Sequence, residues 1–301
     1  MTETVAVAVP RKGRPLEAVL DRVARVGGNE ATALADSVSS TLRYEKAVTK
    51  NRQHAERGPY ERLAAYSDPD DPHAPEYTLL RDDREQYPRR IVFDSATVSL
   101  DDYDLRLIGR EEPFRALRTH EFALGFDSAD LVLEEVVDLE PDGLSSLTEI
   151  NNRIDPKNTD VRVVTGLGDT VYHTLLASPD QLGEHDGLDR AFIADYEGAL
   201  CISPRYERLV QAVLGTRAMG DIEFVYPTGN REEEADIADV GVGVYLTMTG
   251  STAREYGLLV GENLFPSETV LMENHAETTT AADAIKQELT DPAVETALSV
   301  R

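Results

Sequence analysis

Residues 239–263 read DVGVGVYLTMTGSTAREYGLLVGEN, and the fold turns on how this stretch is read. Val240 to Leu246 is an apolar run rich in small residues, the pattern of a buried strand. It stops at Thr247-Met248-Thr249-Gly250-Ser251-Thr252, and a short helical pattern, Ala253 to Leu259, follows. A strand, a Thr/Ser/Gly turn and a helix start make a common anion cradle. The first backbone N–H groups of a helix have no partner inside it, and the helix dipole favours negative charge there. Hydroxyls of Thr249, Ser251 and Thr252 add hydrogen bonds, and Gly250 lets the backbone come close. A second reading stays open on these residues alone. Thr252-x-x-Glu255 fits a capping box, which satisfies the same N–H groups with no ligand.

Outward from this turn, strands and helices alternate. Val5 to Val9 is a first buried strand, ended by Pro10, with a cationic turn, Arg11-Lys12-Gly13-Arg14, behind it. Pro15 opens a helix whose apolar face is Leu16, Val19, Leu20 and Val23, and Gly27-Gly28 closes it. A second helix is predicted from Glu30 to about Ser39. Residues 51–88 are polar and carry Pro59, Pro69, Pro72, Pro75 and Pro88, so they read as an insertion, with Ser67 to Pro75 a surface loop. Further strands are predicted at Arg90–Phe93, Asp104–Ile108, Phe122–Phe126, Val161–Thr165, Val171–Ala177, Ile222–Tyr226 and Val270–Glu273. Helices are predicted near Glu111–Thr119, at Pro204–Leu214 and at Thr280–Val300. No repeat period is visible. The alternation predicts an α/β fold with largely parallel sheets.

The chain has 301 residues, 41% of them hydrophobic, enough to bury the cores of two lobes. Acidic residues outnumber basic ones 56 to 30, giving a formal net charge of −26. Only five of the basic residues are Lys: Lys12, Lys46, Lys50, Lys157 and Lys286. The acids are spread along the chain, which implies a solvated acidic surface suited to a high-salt, cytoplasmic setting. No basic stripe with interleaved aromatics appears, which argues against nucleic acid as a partner. The N-terminus lacks a basic segment and Val5–Val9 is too short to span a bilayer, so no membrane association is expected. Cys201 is the sole cysteine, which excludes an intrachain disulfide and a Cys-based zinc site. The runs Asp68–His73 and Glu184-His185-Asp186 resemble metal clusters only in composition. Arg43, Lys46, Lys50 and Arg52 form a second basic group, either a solvated face or a contact to a nucleotide phosphate.

Three segments, in order, resemble the ATP phosphoribosyltransferase family. Val7-Ala8-Val9-Pro10-Arg11-Lys12-Gly13-Arg14 is similar to that family's strand followed by P-x-K-G-R. Pro113 to Glu134 resembles its stretch ending in A-D-L-G-I-T-G-x-D. Thr249-Gly250-Ser251-Thr252-Ala253-Arg254-Glu255-Tyr256-Gly257-Leu258 resembles its T-G-T-T-L-R-x-N-G-L loop. The resemblance implies a two-lobed, periplasmic-binding-protein-like (type II) α/β fold with the substrate in a cleft between lobes. Residues 1–139 and 262–301 would form lobe one, and 140–261 lobe two.

The implied reaction transfers phosphoribose from phosphoribosyl pyrophosphate to ATP, releasing pyrophosphate, as the opening step of histidine biosynthesis. Thr249, Gly250, Ser251 and Thr252 would hold the 5-phosphate, and Arg11, Lys12, Arg14 and Arg254 would meet anionic groups. Magnesium would accompany the pyrophosphate, with Asp130 as a carboxylate candidate. Partners are phosphorylated small molecules, and a homo-oligomer is left open.

The chain departs from the family pattern in several places. Tyr245 stands where the family has an Asp that contacts the ribose hydroxyls. Gly125-Phe126-Asp127-Ser128 replaces G-I-T-G, and Tyr256 replaces Asn. The S-G-x-V-E segment has only a loose counterpart in Thr228-Gly229-Asn230-Arg231-Glu232. Two alternatives therefore stand beside the enzyme: a non-catalytic ligand-binding or regulatory protein on the same fold, and phosphoribosyl transfer to another acceptor.

Overall fold

The computed structural model describes residues 2–50, 52–68, 70–71, 73–81, 89–100, 102–139, 146–215, 220–229 and 231–290. The chain forms β1 (Glu3–Pro10), α1 (Gly13–Val26), α2 (Gly28–Thr49), α3 (Pro59–Tyr66), β2 (Glu76–Arg81), β3 (Arg89–Ser99) and β4 (Tyr103–Arg110). Then come α4 (Pro113–Arg118), β5 (Leu124–Ser128), α5 (Ala129–Glu135), α6 (Leu147–Asn152), β6 (Val161–Gly166) and β7 (Val171–Ala177). The remainder is α7 (Arg190–Asp195), β8 (Gly198–Cys201), α8 (Glu207–Leu214), β9 (Ile222–Val225), α9 (Glu233–Val240), β10 (Val242–Thr247), α10 (Ser251–Glu255), β11 (Leu259–Ser267), β12 (Thr269–Asn274) and α11 (Thr280–Leu289).

Two compact units divide these elements. Among the described residues, unit 1 takes those up to 128, 159–169 and 269–290; unit 2 takes 129–158 and 170–268. The sequence reading placed the boundaries at 139/140 and 261/262. They fall elsewhere because hydrogen bonding decides them. β6 pairs antiparallel with β12 and so belongs to unit 1, and β11 pairs with β7 along most of its length and so stays in unit 2.

Unit 1 holds a seven-stranded sheet, β2-β3-β4-β1-β5-β12-β6, and unit 2 a five-stranded one, β11-β7-β10-β8-β9. Both are mixed, not largely parallel as expected. In unit 1, β1 runs parallel to β4 and β5, and β12 runs antiparallel to β5 and β6. In unit 2, β8 runs parallel to β9 and β10, and β7 runs antiparallel to β10 and β11. Each sheet is thus a parallel trio with its first strand in the middle. On one side of the trio lie a reversed strand, reached after the chain has built the other unit, and one more strand; unit 1 adds β3, antiparallel to β4, and β2, antiparallel to β3, on the other side. This is the type II plan, and the reversed strand in each sheet is what the parallel expectation left out.

The unit 1 core forms where α1 lays Leu16, Val19, Leu20 and Val23, each at most 1% exposed, against Val7, Val9, Leu107, Leu124 and Phe126. The i, i+3, i+4, i+7 spacing puts all four on one helical face. Burying each such side chain stabilises by about 1.5–3 kcal/mol. Buried Arg22, on the same helix, donates to the Leu289 carbonyl at the end of α11 (2.9 Å), a cation at a helix C-terminus.

α2 runs ten residues past the predicted end at Ser39. Its second half buries Glu45, a residue that breaks the apolar pattern. Arg62 (2.8 and 2.9 Å) and the Tyr66 hydroxyl (2.8 Å), both on α3, satisfy that carboxylate. The predicted insertion therefore contains structure: α3, and β2 paired antiparallel with β3. Its residues 82–88, with Pro69, Pro72, Asn230 and the tail from 291, lie outside the described residues.

Candidate functional site

The turn after β10 resolves the choice left open by its sequence. α10 begins at Ser251, its N-cap is Gly250, and no side chain caps it. The Thr252/Glu255 box does not form, because Thr252 already lies inside the helix. Gly250 is left-handed (φ 68°), and a Cβ there would sit 2.7 Å from Val260 Cγ2. Both facts require glycine. Thr249 and Ser251 are exposed; the Thr249 hydroxyl donates to Ser251 Oγ (3.1 Å), and the Ser251 N–H reaches Thr249 Oγ1 only at 3.4 Å. Arg254 Nη1 donates back to the Thr249 carbonyl (2.8 Å), which braces the turn and puts a positive charge beside it. The four residues expected to bind phosphate thus form one turn braced by Arg254, with Thr249 and Ser251 exposed, Thr252 half-buried and Gly250 buried.

Tyr245 lies four residues before Thr249 on β10. Burial, together with Glu233, Glu234 and Glu232, pushes its phenol above its ordinary range, so it stays neutral. The carboxylates missing from position 245 are thus gathered at the start of α9. Nearby, Asp236 accepts from the Thr228 N–H (3.0 Å) and from Arg231 Nε (2.7 Å), which holds its carboxyl below its usual range despite desolvation. Thr228 and Arg231, from the loose S-G-x-V-E counterpart, are therefore tied to α9 through Asp236.

The cationic turn in unit 1 has a different character. Arg11 Nε donates to the Gly109 carbonyl (3.1 Å), and its Nη2 lies 3.5 Å from Asp94. Arg14 bonds both the Asp169 carbonyl (2.7 Å) and the Asp169 carboxylate, which in turn accepts from Thr269 N (2.8 Å) and Thr269 Oγ1 (2.7 Å). Lys12 makes the loosest contact, 3.5 Å to exposed Glu111. Of the three, Lys12 has the charge most open to exchange with a ligand.

Asp130 is 1% exposed in unit 2. Its Oδ2 meets His173 Nε2 at 2.8 Å, and its Oδ1 accepts from the Leu131 N–H. His173 stacks on Phe265 and meets the edge of Tyr206. Sequence reading missed His173, because a lone His in a strand gives no signal of its partner. Among the described residues no group of three His, Cys, Asp or Glu gathers as a metal cage. These side chains do not by themselves fit a protein-held magnesium ion. The altered G-I-T-G segment also has a structural reason: Asp127 accepts from the Phe114 N–H (3.1 Å) at the start of α4.

A repeated type II sheet plan, with the Thr249–Thr252 turn at the end of β10, defines a two-sheet α/β protein. The chain belongs to the halobacterial ATP phosphoribosyltransferase family, whose model matches residues 1–300. No curated protein matches it by sequence. Among solved structures it is similar to the ATP phosphoribosyl transferase (HisG:HisZ) complex from Thermotoga maritima. That match has 13% identity and a TM-score of 0.43, covering 95% of this chain and 96% of that one. It is also similar to YhfZ from Shigella flexneri, at 10% identity and a TM-score of 0.41, covering 96% and 85%. The effector-binding domain of QuiR in complex with shikimate matches at 13% identity and a TM-score of 0.38, covering 62% and 79%.

Proposed function

We propose that this chain catalyses phosphoribosyl transfer to ATP, with Thr249, Gly250, Ser251 and Thr252 holding the 5-phosphate of phosphoribosyl pyrophosphate. The carrying observation is the helix start at Gly250, a residue with no side chain to cap it, where the Thr249 hydroxyl reaches the Ser251 N–H only at 3.4 Å. In the reaction, the bond from ribose C1 to a pyrophosphate oxygen breaks and the electron pair leaves with pyrophosphate. A bond from C1 to an adenine ring nitrogen forms. No protein nucleophile is needed; the protein's part is positioning and charge stabilisation. Lys12 meets an anionic group of the substrates, and Arg254 holds the turn in shape. Arg11 and Arg14 act through the backbone they brace. Magnesium would accompany the pyrophosphate as part of the substrate, with Asp130 already engaged by His173. The excess of 56 acidic over 30 basic residues supports work in a salt-rich cytoplasm. No described helix is long and apolar enough to cross a membrane.

The test mixes the protein with ATP, phosphoribosyl pyrophosphate and magnesium in molar potassium chloride. Pyrophosphate release that requires ATP is expected; none, with the fold verified, refutes catalysis. Tyr245 favours a second reading, a binding protein without turnover, because a neutral phenol replaces the acid at the ribose. That reading predicts thermal stabilisation by phosphoribosyl pyrophosphate with no pyrophosphate released. Turnover with another acceptor and none with ATP would point to the third possibility.

A further inference from the structure

We propose that a cationic cavity in unit 1 holds a polyphosphate chain, an inference that takes its substrates from the phosphoribosyl-transfer reading above. The cavity lies beside Lys12 and is lined by Arg43 and Lys46 of α2, Arg90 of β3, and Ser39 and Glu17. Four cationic side chains face one carboxylate, in a chain whose formal net charge is −26. Two of the five lysines of the chain are gathered here. Such a local reversal of sign concentrates anions at the surface that carries it.

Helical spacing builds the site. Ser39, Arg43 and Lys46 stand at i, i+4 and i+7 on α2, so they share one face. That face is available because α2 continues past Ser39, where the sequence reading had ended it. The ion pairs of Arg43 and Lys12 are weak ones. Arg43 Nε lies 3.6 Å from Glu17 and Lys12 Nζ lies 3.5 Å from Glu111, and the side chains of both pairs are well exposed. Among the described residues no carboxylate lies within ion-pair distance of Lys46. Exposed pairs of this kind exchange readily for phosphate oxygens.

Size narrows the ligand. The cavity measures about 180 Å³. Cavities that enclose a whole small molecule run roughly 300–1,000 Å³. This one suits a phosphate chain whose nucleoside or sugar stays outside. The triphosphate of ATP and the pyrophosphate of the ribosyl donor share that chemistry, and kinetics separate them.

Inorganic tripolyphosphate is titrated calorimetrically into the full chain and into the double variant Arg43→Glu/Lys46→Glu. We expect binding at least tenfold weaker in the double variant, and recovery in Arg43→Lys/Lys46→Arg, which keeps both charges. A higher KM for ATP at unchanged kcat assigns the cavity to the ATP triphosphate. A higher KM for phosphoribosyl pyrophosphate alone assigns it to the donor. Equal tripolyphosphate binding by parent and double variant, with unchanged circular dichroism, overturns the proposal, as does a parent that does not bind. A parent that binds through these residues yet releases no pyrophosphate sinks the proposed catalysis and leaves the cavity standing.

Discussion

The two turns that follow a parallel strand and face an anion's chemistry are built in opposite ways. In unit 2 the Thr249–Thr252 turn offers backbone N–H groups and hydroxyls, with few internal partners. In unit 1 the Arg11–Arg14 turn has its charges, yet Arg11 and Arg14 are engaged by Gly109, Asp94 and Asp169. The difference teaches that formal charge is a poor guide to anion binding in an acidic protein. Arg11 and Arg14 find acceptors within the chain first, whereas the Thr249–Thr252 turn has only the Thr249 hydroxyl, at 3.4 Å from the Ser251 N–H, as such a competitor.

The sharpest way to break this comparison is Gly250→Val. A β-branched residue at φ 68° must also clear Val260 Cγ2. The strain is about 1–3 kcal/mol before any ligand effect. We expect affinity for phosphoribosyl pyrophosphate to fall by about a hundredfold, a loss of about 2.7 kcal/mol. Calorimetry checks this.

Arg14→Ala should act on stability more than on binding, because it leaves Asp169 without its ion partner. Breaking a fully buried pair costs about 3–5 kcal/mol. Both side chains here are 18% exposed, so we expect less, about 2 kcal/mol, seen as a Tm lower by about 4–8 °C. If the donor affinity of Arg14→Ala falls as far as that of Gly250→Val, the distinction between the two turns fails.

Alkaline titration gives a third check, through buried Cys201. Burial, with Asp236 and Glu233, pushes its thiol up from 9.0 to about 11. The native state keeps this proton longer than the unfolded chain. Its contribution is therefore complete below pH 9 and lost as pH rises to about 11. The loss should reach about 2–3 kcal/mol. In denaturant titrations at about pH 8.5 and 11, the parent should lose that much more unfolding free energy between the two pH values than Cys201→Ser does.

The smallest expected effect is that of Tyr245→Phe. A neutral phenol close to a ribose contributes one hydrogen bond at most, about 0.5–1.5 kcal/mol. We expect kcat/KM to fall no more than about tenfold. A larger fall would mean that Tyr245 has taken over the work of the missing acid.

Much of the fold was legible because periodicity and punctuation agreed. Val5–Val9, the α1 face and Val171–Ala177 carry clean patterns, and each forms the expected element. Failures occurred where a polar residue is buried with its partner far along the chain. Glu45 hid the second half of α2 because Arg62 and Tyr66 lie 17 and 21 residues away. Asp169 and His173 gave no local sign of pairing with Arg14 and Asp130. β11 was missed because Gly261, Glu262 and Asn263 interrupt its apolar pattern, where its pairing with β7 shifts register. The Thr249–Thr252 turn itself was legible as a strand–turn–helix motif. Its uncapped state was not, since capping depends on where the helix begins.

The placement of β12 has a consequence for how the protein is made. Unit 1's sheet cannot be completed until residues 269–274 are synthesised, because β12 separates β5 from β6. At about 5–20 residues per second, the ribosome takes roughly 10–30 s to pass from the end of β5 to β12. Through that interval the β5 edge, Leu124–Ser128, waits as an unfilled template.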